Sequence, residues 1–474
     1  MIRQTFVYEA HVPLRPSRRR SAKTFSIMLQ AIPTEIQLII TQQLGDHDKV
    51  SLLRTSRHFY NCVQPLIYEN LSPRSSHGLV DTLVRKPTLC KYPRCLHLTA
   101  WDTPYPWARD DGRNMDLHMI LRRYDISPVL VKAREASLSE KEAMRWERDL
   151  NKENPDAWIA LLLTLLPNLR RLEIQFPDRS TYVPQVILRA AAGQFSMPVL
   201  QHLEEVLVSA AFAPYGLVTS LMLPFFGLPA LRSVFTDALF DGESGVAIGS
   251  SPVKHLSIGD CGGGLRSLSN LIKNCPKLES YRHGFFPFNV WPPPGMDHPI
   301  YPALLQARHT LKTLWLDIEL VSELEEPIFP SFAEFTILQF LHAPHRLLGQ
   351  FYRSGIHAQA PVPDLTRILP PSLKELHITK IHGAGAINVV AQSLINYIQS
   401  KGVHMTDIVV FTTPVPVELA MPPSVSDMEL LLRLADLCRR LRISFAKCDP
   451  RDPRTLKKGW RFEKPFPDKD KRMR

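Results

Sequence analysis

The sequence predicts a mixed α/β chain in which a small all-α unit of three helices precedes a long array of short strands alternating with helices. Three observations carry this reading. Residues 32–71 hold three short segments with apolar stripes, separated by capping residues. Beyond them the pattern apolar-x-x-apolar-x-apolar recurs. Several copies follow a helical stretch ending in a proline, as in Leu166-Pro167, Met197-Pro198, Leu228-Pro229 and Cys275-Pro276. The expected organisation is a basic, disordered lead over residues 1–25, the three-helix unit over 26–75, an irregular repeat domain over 76–445 with a charged insertion near 101–155, and a flexible basic tail over 446–474.

In the first unit, Pro33 suits a first helical position, where its missing N–H costs nothing, and Ile36, Ile39, Ile40 and Leu44 fall on one apolar stripe. Gly45 stops that helix. Asp46 or Asp48 can cap a second helix carrying Val50, Leu52 and Leu53, and Ser56 a third carrying Phe59, Tyr60, Val63 and Leu66. A unit of about forty residues buries too little apolar surface to be securely stable alone, so it calls for a permanent partner or a neighbouring domain. The ordered set of Ile32-Pro33, the spaced isoleucines, Asp48, Leu52-Leu53, Thr55-Ser56-Arg57, Phe59-Tyr60 and Pro65-Leu66-Ile67-Tyr68 resembles the F-box, particularly as it occurs in fungal F-box proteins. The resemblance implies docking onto the Skp adaptor of a Skp, cullin and F-box (SCF) ubiquitin ligase. Carried over by position, Ile32, Pro33, Ile36, Leu52 and Leu53 would contact the adaptor, while Ile40, Phe59 and Val63 would hold the helices together. Ile32 stands where the family usually has Leu, a near-isosteric exchange.

After a turn-rich hinge from Ser72 to Gly78, Leu79 to Leu89 reads as one helix and Pro93 to Thr99 alternates like a strand. Residues 101–128 give no period. From Ser137, two Ser-x-x-Glu patterns open a helix running to about Lys152, charged on nearly every face and therefore expected as a solvent-exposed insertion. Asp156 can cap the following segment, Ala157 to Leu166, which is apolar nearly all round and so predicted to be buried.

Strong repeat copies open at Leu169, Leu203, Val253, Leu311 and Leu373, and weaker ones at Leu231, Leu278 and Leu338, with spacings of 34, 28, 22, 25, 33, 27 and 35 residues in chain order. One such unit cannot bury its apolar strand face alone, so neighbours must stack into a continuous sheet. The array resembles the divergent leucine-rich solenoids that follow many F-boxes, over roughly residues 95–445. Val253 to Cys261 completes that consensus with Cys at the turn position, whereas the other copies lack the Asn or Cys there, so their turns must be satisfied differently. In this register the outward strand positions include Arg171, Glu173, Gln175, Leu207, Phe235, Asp237, His255, Arg282, Trp315, Asp317 and His377. Arg171, Phe235, His255, Arg282, Trp315 and His377 are the candidate substrate contacts. Trp315 and Phe235, expected to be exposed beside charge, are the expected anchors, since aromatic and Arg side chains dominate interface energetics. A slip of one residue would place them in the core instead. Asp427 to Leu441 is an amphipathic helix expected to cap the array, and the chain beyond Cys448 lacks a core pattern.

The 474 residues are 45% hydrophobic, enough for a substantial core. The net charge of +11 sits in the ends: residues 1–25 hold six basic groups against one acid, and residues 447–474 hold eleven against five. The body between them is neutral, which argues against a basic nucleic-acid groove. Seven cysteines form no Cys-x-x-Cys pair, which fits a reduced, intracellular chain without a structural zinc site. The longest apolar run is about half a membrane span. No Gly-x-Ser-x-Gly, Gly-Lys-Ser/Thr phosphate loop or His-Glu-x-x-His motif is present, and the glycine-rich Gly259 to Gly264 reads as a turn after a repeat strand.

The expected protein is thus a non-catalytic adaptor, without cofactor or metal, in the cytoplasm, the nucleus or both. Its partners would be the Skp adaptor and, through it, cullin, plus a protein substrate, with no membrane or nucleic acid. Proximity would be its contribution to ubiquitin transfer. The alternatives are a repeat scaffold acting without ubiquitylation, and an enzyme hidden in residues 101–155 or in the glycine turn.

Overall fold

The computed structural model describes residues 32–73, 76–98, 125–176, 180–210, 217–236, 239–240, 250–259, 261–262, 265–284, 300–317, 329–348, 362–381, 384–400, 405–412 and 425–448. The expected basic lead, most of the stretch without period, Asp237 and the tail beyond Cys448 lie outside them. The chain divides into two units, the first running to residue 211 and taking in residues 227–231, the second made of the remainder.

The first unit opens with α1 (Thr34–Gln43), α2 (Asp46–Leu53) and α3 (Arg57–Glu69). Pro33 is the residue preceding α1, and the Ser56 hydroxyl caps α3 by accepting from the Phe59 amide at 3.2 Å. The inward side of α1 differs from expectation. Gln37 and Thr41 are buried, as are Phe59 and Val63 of α3, while Ile40 is 39% exposed and so does not hold the helices together. Gln37 can be buried because its amide is satisfied twice: it donates to the Ile32 carbonyl at 2.6 Å, and its oxygen meets His58 Nε2 at 2.7 Å. Positions 37 and 41 lie one turn apart, and turning them inward rotates the isoleucine stripe outward.

The chain continues through β1 (Asn70–Leu71), α4 (Ser76–Arg85), β2 (Cys95–Leu98), α5 (Ser127–Ala136), α6 (Glu140–Asn151), α7 (Pro155–Thr164), β3 (Arg171–Phe176), α8 (Tyr182–Ala191) and β4 (Glu205–Ala210). The single helix expected to reach Leu89 ends at Arg85, because Pro87 cannot continue it and begins a short 3₁₀ turn. Strands β1 to β4 pair in parallel in chain order. α6, expected as an exposed insertion, buries Ala143, Trp146 and Leu150. Its Glu142 pairs with Arg189 of α8 at 2.8 Å, and Arg189 also donates to the Ala136 carbonyl. α7 is buried along its length as expected, but Asn154 caps it. Asp156 instead reaches the start of α8, accepting from the amides of Thr181, Tyr182 and Val183 and from the Ser180 hydroxyl at 2.6–3.1 Å. A buried carboxylate thus satisfies the amides that a helix start leaves open.

The second unit contains β5 (Leu217–Val218), α9 (Thr219–Met222), β6 (Ser233–Thr236), β7 (Leu239–Phe240), β8 (His255–Ile258), β9 (Cys261–Gly262), α10 (Leu265–Lys273), β10 (Ser280–Gly284), α11 (Ile300–Leu305), β11 (Thr313–Asp317), β12 (Phe340–Pro344), α12 (Leu365–Ile368), β13 (Glu375–Ile381), α13 (Ala384–Ser400), β14 (Asp407–Thr412), α14 (Val425–Arg440) and β15 (Ser444–Cys448). Its main sheet runs β6-β8-β10-β11-β12-β13-β14-β15, all parallel, and a separate small parallel sheet runs β5-β7-β9. Each main strand joins the edge left by the one before, as stacking repeats require. α14 matches the expected terminal helix, but β15 follows it and runs to Cys448, into the expected tail. Among the described residues, no helix is long and apolar enough to cross a membrane.

Every expected anchor, Leu169, Leu203, Leu231, Val253, Leu278, Leu311, Leu338 and Leu373, is buried at the foot of a strand. Adjacent repeats are tied together by the backbone at the strand feet. Lys254, Glu279, Lys312, Gln339 and Lys374 form a ladder in which each carbonyl accepts two amides of the next repeat, the first of each pair at 2.7–2.8 Å. Gly284 closes β10 against the preceding loop, where a Cβ would collide with the Gly259 carbonyl oxygen.

Candidate functional site

Two surfaces carry the residues singled out from the sequence, one in each unit. In the first unit, the rotation of α1 leaves Ile36, Ile39 and Ile40 at 45%, 55% and 39% exposure, with Pro33 also exposed. Ile32, Leu52 and Leu53 are half-buried. α2 buries no residue fully, so its apolar side chains stay within reach of solvent. These three helices, too few to bury much apolar surface, thus leave an apolar stripe exposed instead of in their core.

The first unit also places Arg171 at the start of β3, bridging to Glu205 of β4 with Nε–Oε2 at 3.0 Å. One row along, His97 Nδ1 meets Glu173 at 2.7 Å. Burial pushes the Glu205 carboxyl up, and the Arg171 guanidinium opposes that shift.

In the second unit the strand register sets the outward side chains in two rows. One contains Ser233, His255, Ser280, Thr313, Phe340, Glu375, Asp407 and Ser444. The other contains Phe235, Ser257, Arg282, Trp315, His342, His377, Val409 and Ala446. The alternation expected from the sequence therefore holds, and Phe235, Arg282, Trp315 and His377 share one row while His255 lies in the other. Exposure does not follow. Trp315 is 7% and His377 2% exposed, whereas Phe235, His255 and Arg282 are half-buried. The two rings are covered by neighbours from both rows. Trp315 stacks on His342 with centroids 3.6 Å apart and on Phe340 at 5.8 Å, the Arg282 guanidinium lies 5.2 Å from its centroid, and His377 meets Phe340 edge-on at 4.8 Å. Trp315 and His377 are thus pillars of the face, not free anchors. Burial pulls the Arg282 and His255 pKa values down, and that of His342 well down.

Phe340, His342, Glu375 and Asp407 were not among the sequence candidates. They occupy the same repeat positions as residues that were. The copy holding Asp407, Met405-Thr-Asp-Ile-Val-Val410, fits the pattern yet starts with Met. At the strand feet, Glu279 bridges Lys254 at 2.6 Å and Lys312 at 2.7 Å, and hydrogen bonds from both hold its carboxyl down at about 2. β13 carries a bulge between Ile378 and Ile381, where Lys380 takes a φ of 54° and pairs with Asp317 at 3.1 Å.

The face is polar and aromatic and is laid across many strands. No curated protein matches the chain at a significant level. The leucine-rich repeat domain family matches residues 70–420, beginning where β1 begins. That domain points to protein–protein interaction. With well over half of its length inside the match, the chain belongs to the leucine-rich repeat domain family.

Proposed function

We propose that this chain is the substrate-recognition subunit of an SCF-type ubiquitin ligase. In this reading the α1–α3 unit is an F-box that docks the Skp adaptor, and the repeat domain binds a protein substrate. The observation that carries the reading is the exposed stripe Ile36, Ile39 and Ile40 of α1, with Pro33 also exposed and Leu52 and Leu53 of α2 half-buried, in three helices immediately ahead of a leucine-rich repeat domain. Apolar side chains held out by a well-satisfied interior, here the Gln37–His58–Ile32 hydrogen bonds, are what a permanent partner would cover. The chain would act in the cytoplasm or nucleus by holding its substrate near the charged conjugating enzyme, without contributing a catalytic group. The half-buried residues Phe235, His255 and Arg282 of the second unit and Arg171 of the first are the proposed substrate contacts, with Trp315 and His377 fixing the surface around them.

A second reading, a repeat scaffold that does not direct ubiquitylation, is favoured by the polar rows of the sheet, which need no adaptor to bind a partner. The two separate on one experiment. Reconstitution with Skp and cullin, followed by size-exclusion chromatography, gives a ternary complex under the first reading and no cullin recruitment under the second.

A further inference from the structure

We propose that Glu375, His377 and Asp407 form a binding site for a divalent transition-metal ion of the zinc class. Glu375 and Asp407 are direct register partners on β13 and β14, and His377 follows two residues along the same face of β13. One ligand atom from each lies within 4.8 Å of the others. A tetrahedral zinc ion with ligands about 2.1 Å away keeps its donor atoms about 3.4 Å apart, so the site needs to close by about 1 Å. Side-chain rotation of two half-buried carboxylates supplies that without moving the strands.

The donor set selects the class of ion. Two carboxylates and a neutral imidazole balance a dication. A nitrogen donor with only three protein ligands disfavours calcium and magnesium, which take six or more oxygens. Three protein ligands leave a fourth position for water or for a partner's side chain.

A second observation on the same stretch of sheet points to a missing polar guest. Asp407 Oδ1, Thr379 Oγ1 and Trp315 Nε1 are buried and find no hydrogen-bond partner among the described residues. Thr379 and Trp315 are both more than nine-tenths buried, and the Trp315 and His377 ring centroids are 6.4 Å apart. The two lysines closest in sequence to the site are otherwise engaged, Lys380 with Asp317 at 3.1 Å and Lys374 with the Gln339 side chain at 3.3 Å. An ion with its water would give Asp407 a partner and bring donors and acceptors to this patch.

The full chain, stripped of metal with a chelator, is titrated with zinc by calorimetry and with cobalt by visible absorption. The wild type is expected to bind one zinc ion and to give the d–d bands of a tetrahedral cobalt site without a thiolate charge-transfer band. Asp407→Asn and Glu375→Gln, shown to be folded by circular dichroism, are expected to weaken zinc binding at least about tenfold, the loss that even an outer partner of a metal ligand causes. Failure of the folded wild type to bind zinc overturns the proposal, as does unchanged binding by either folded variant. A thiolate band in the wild-type cobalt spectrum overturns it without reference to any variant, by assigning the metal to a cysteine.

Discussion

Replacing Asp156 by Asn tests the account of the first unit most sharply, because it changes one charge and almost no volume. The carboxylate is 2% exposed. Oδ2 accepts from the Thr181 and Tyr182 amides at 2.6 and 2.8 Å, and Oδ1 from the Val183 amide at 3.1 Å and the Ser180 hydroxyl at 2.7 Å. Asn offers one acceptor oxygen and one NH₂ donor. Whichever way the amide turns, at least one backbone N–H of the α8 start faces a donor. A hydrogen bond to a charged group contributes about 1.5–3 kcal/mol and an orphaned buried donor costs about 1–3 kcal/mol. The lost charge at a helix N-terminus adds up to about 1 kcal/mol. The expected destabilisation of the first unit is therefore about 3–4 kcal/mol. Urea unfolding followed by tryptophan fluorescence reads it, since Trp146 and Trp158 are buried on the adjoining helices α6 and α7. A loss below about 1 kcal/mol would refute the reasoning and mean that the α8 amides are satisfied without the carboxylate.

Three further outcomes follow from the structure. Gly284→Ala forces a Cβ onto the Gly259 carbonyl oxygen and is expected to cost about 1–3 kcal/mol in thermal or urea unfolding of the second unit; a neutral effect would show that the loop yields freely. His77 and His283 are buried and held down at about 4, so the unfolded chain binds their protons first as pH falls. Their contribution is complete above pH about 6.5 and is lost between about 6.5 and 4, by about 3 kcal/mol each; a urea midpoint that stays flat from pH 6.5 to 4.5 would contradict this. Glu279→Gln breaks two short ion pairs yet is expected to cost only about 1 kcal/mol or less, because the lysines are open to solvent and screened. A larger loss, measured in the same unfolding assay, would show a coupled network.

The repeat array was legible because its signal is local. Each buried anchor, from Leu169 to Leu373, sets the register of its own strand, and the outward rows then follow from a period of two. Exposure was not legible, because it depends on what lies across the strand. Trp315 is covered by His342 and Phe340, which belong to a weaker copy, and no single repeat carries that information. The same holds for Glu375 and Asp407, which meet only when β13 and β14 pair. In the first unit, the isoleucine stripe of α1 is where periodicity places it, and only Ile40 departs from its expected place, being exposed where it was to hold the helices together. An apolar stripe usually faces inward, and here Gln37 takes that place because His58, twenty-one residues away, satisfies it. Asp156 was expected to cap its own helix, but Asn154 takes that place, and the carboxylate serves the start of the next helix, since only the folded chain brings Thr181 and Tyr182 to it.

The central claim is that the α1–α3 patch is a docking surface for the Skp adaptor. A pull-down of purified Skp adaptor by the wild type and by Ile36→Asp, with circular dichroism on both, addresses it directly. Ile36 is 45% exposed, so the substitution leaves the interior formed by Gln37, Thr41, Phe59 and Val63 intact. The account predicts capture by the wild type and loss of capture by a folded Ile36→Asp chain. Absence of binding by the folded wild type, or undiminished binding by the folded variant, would contradict it.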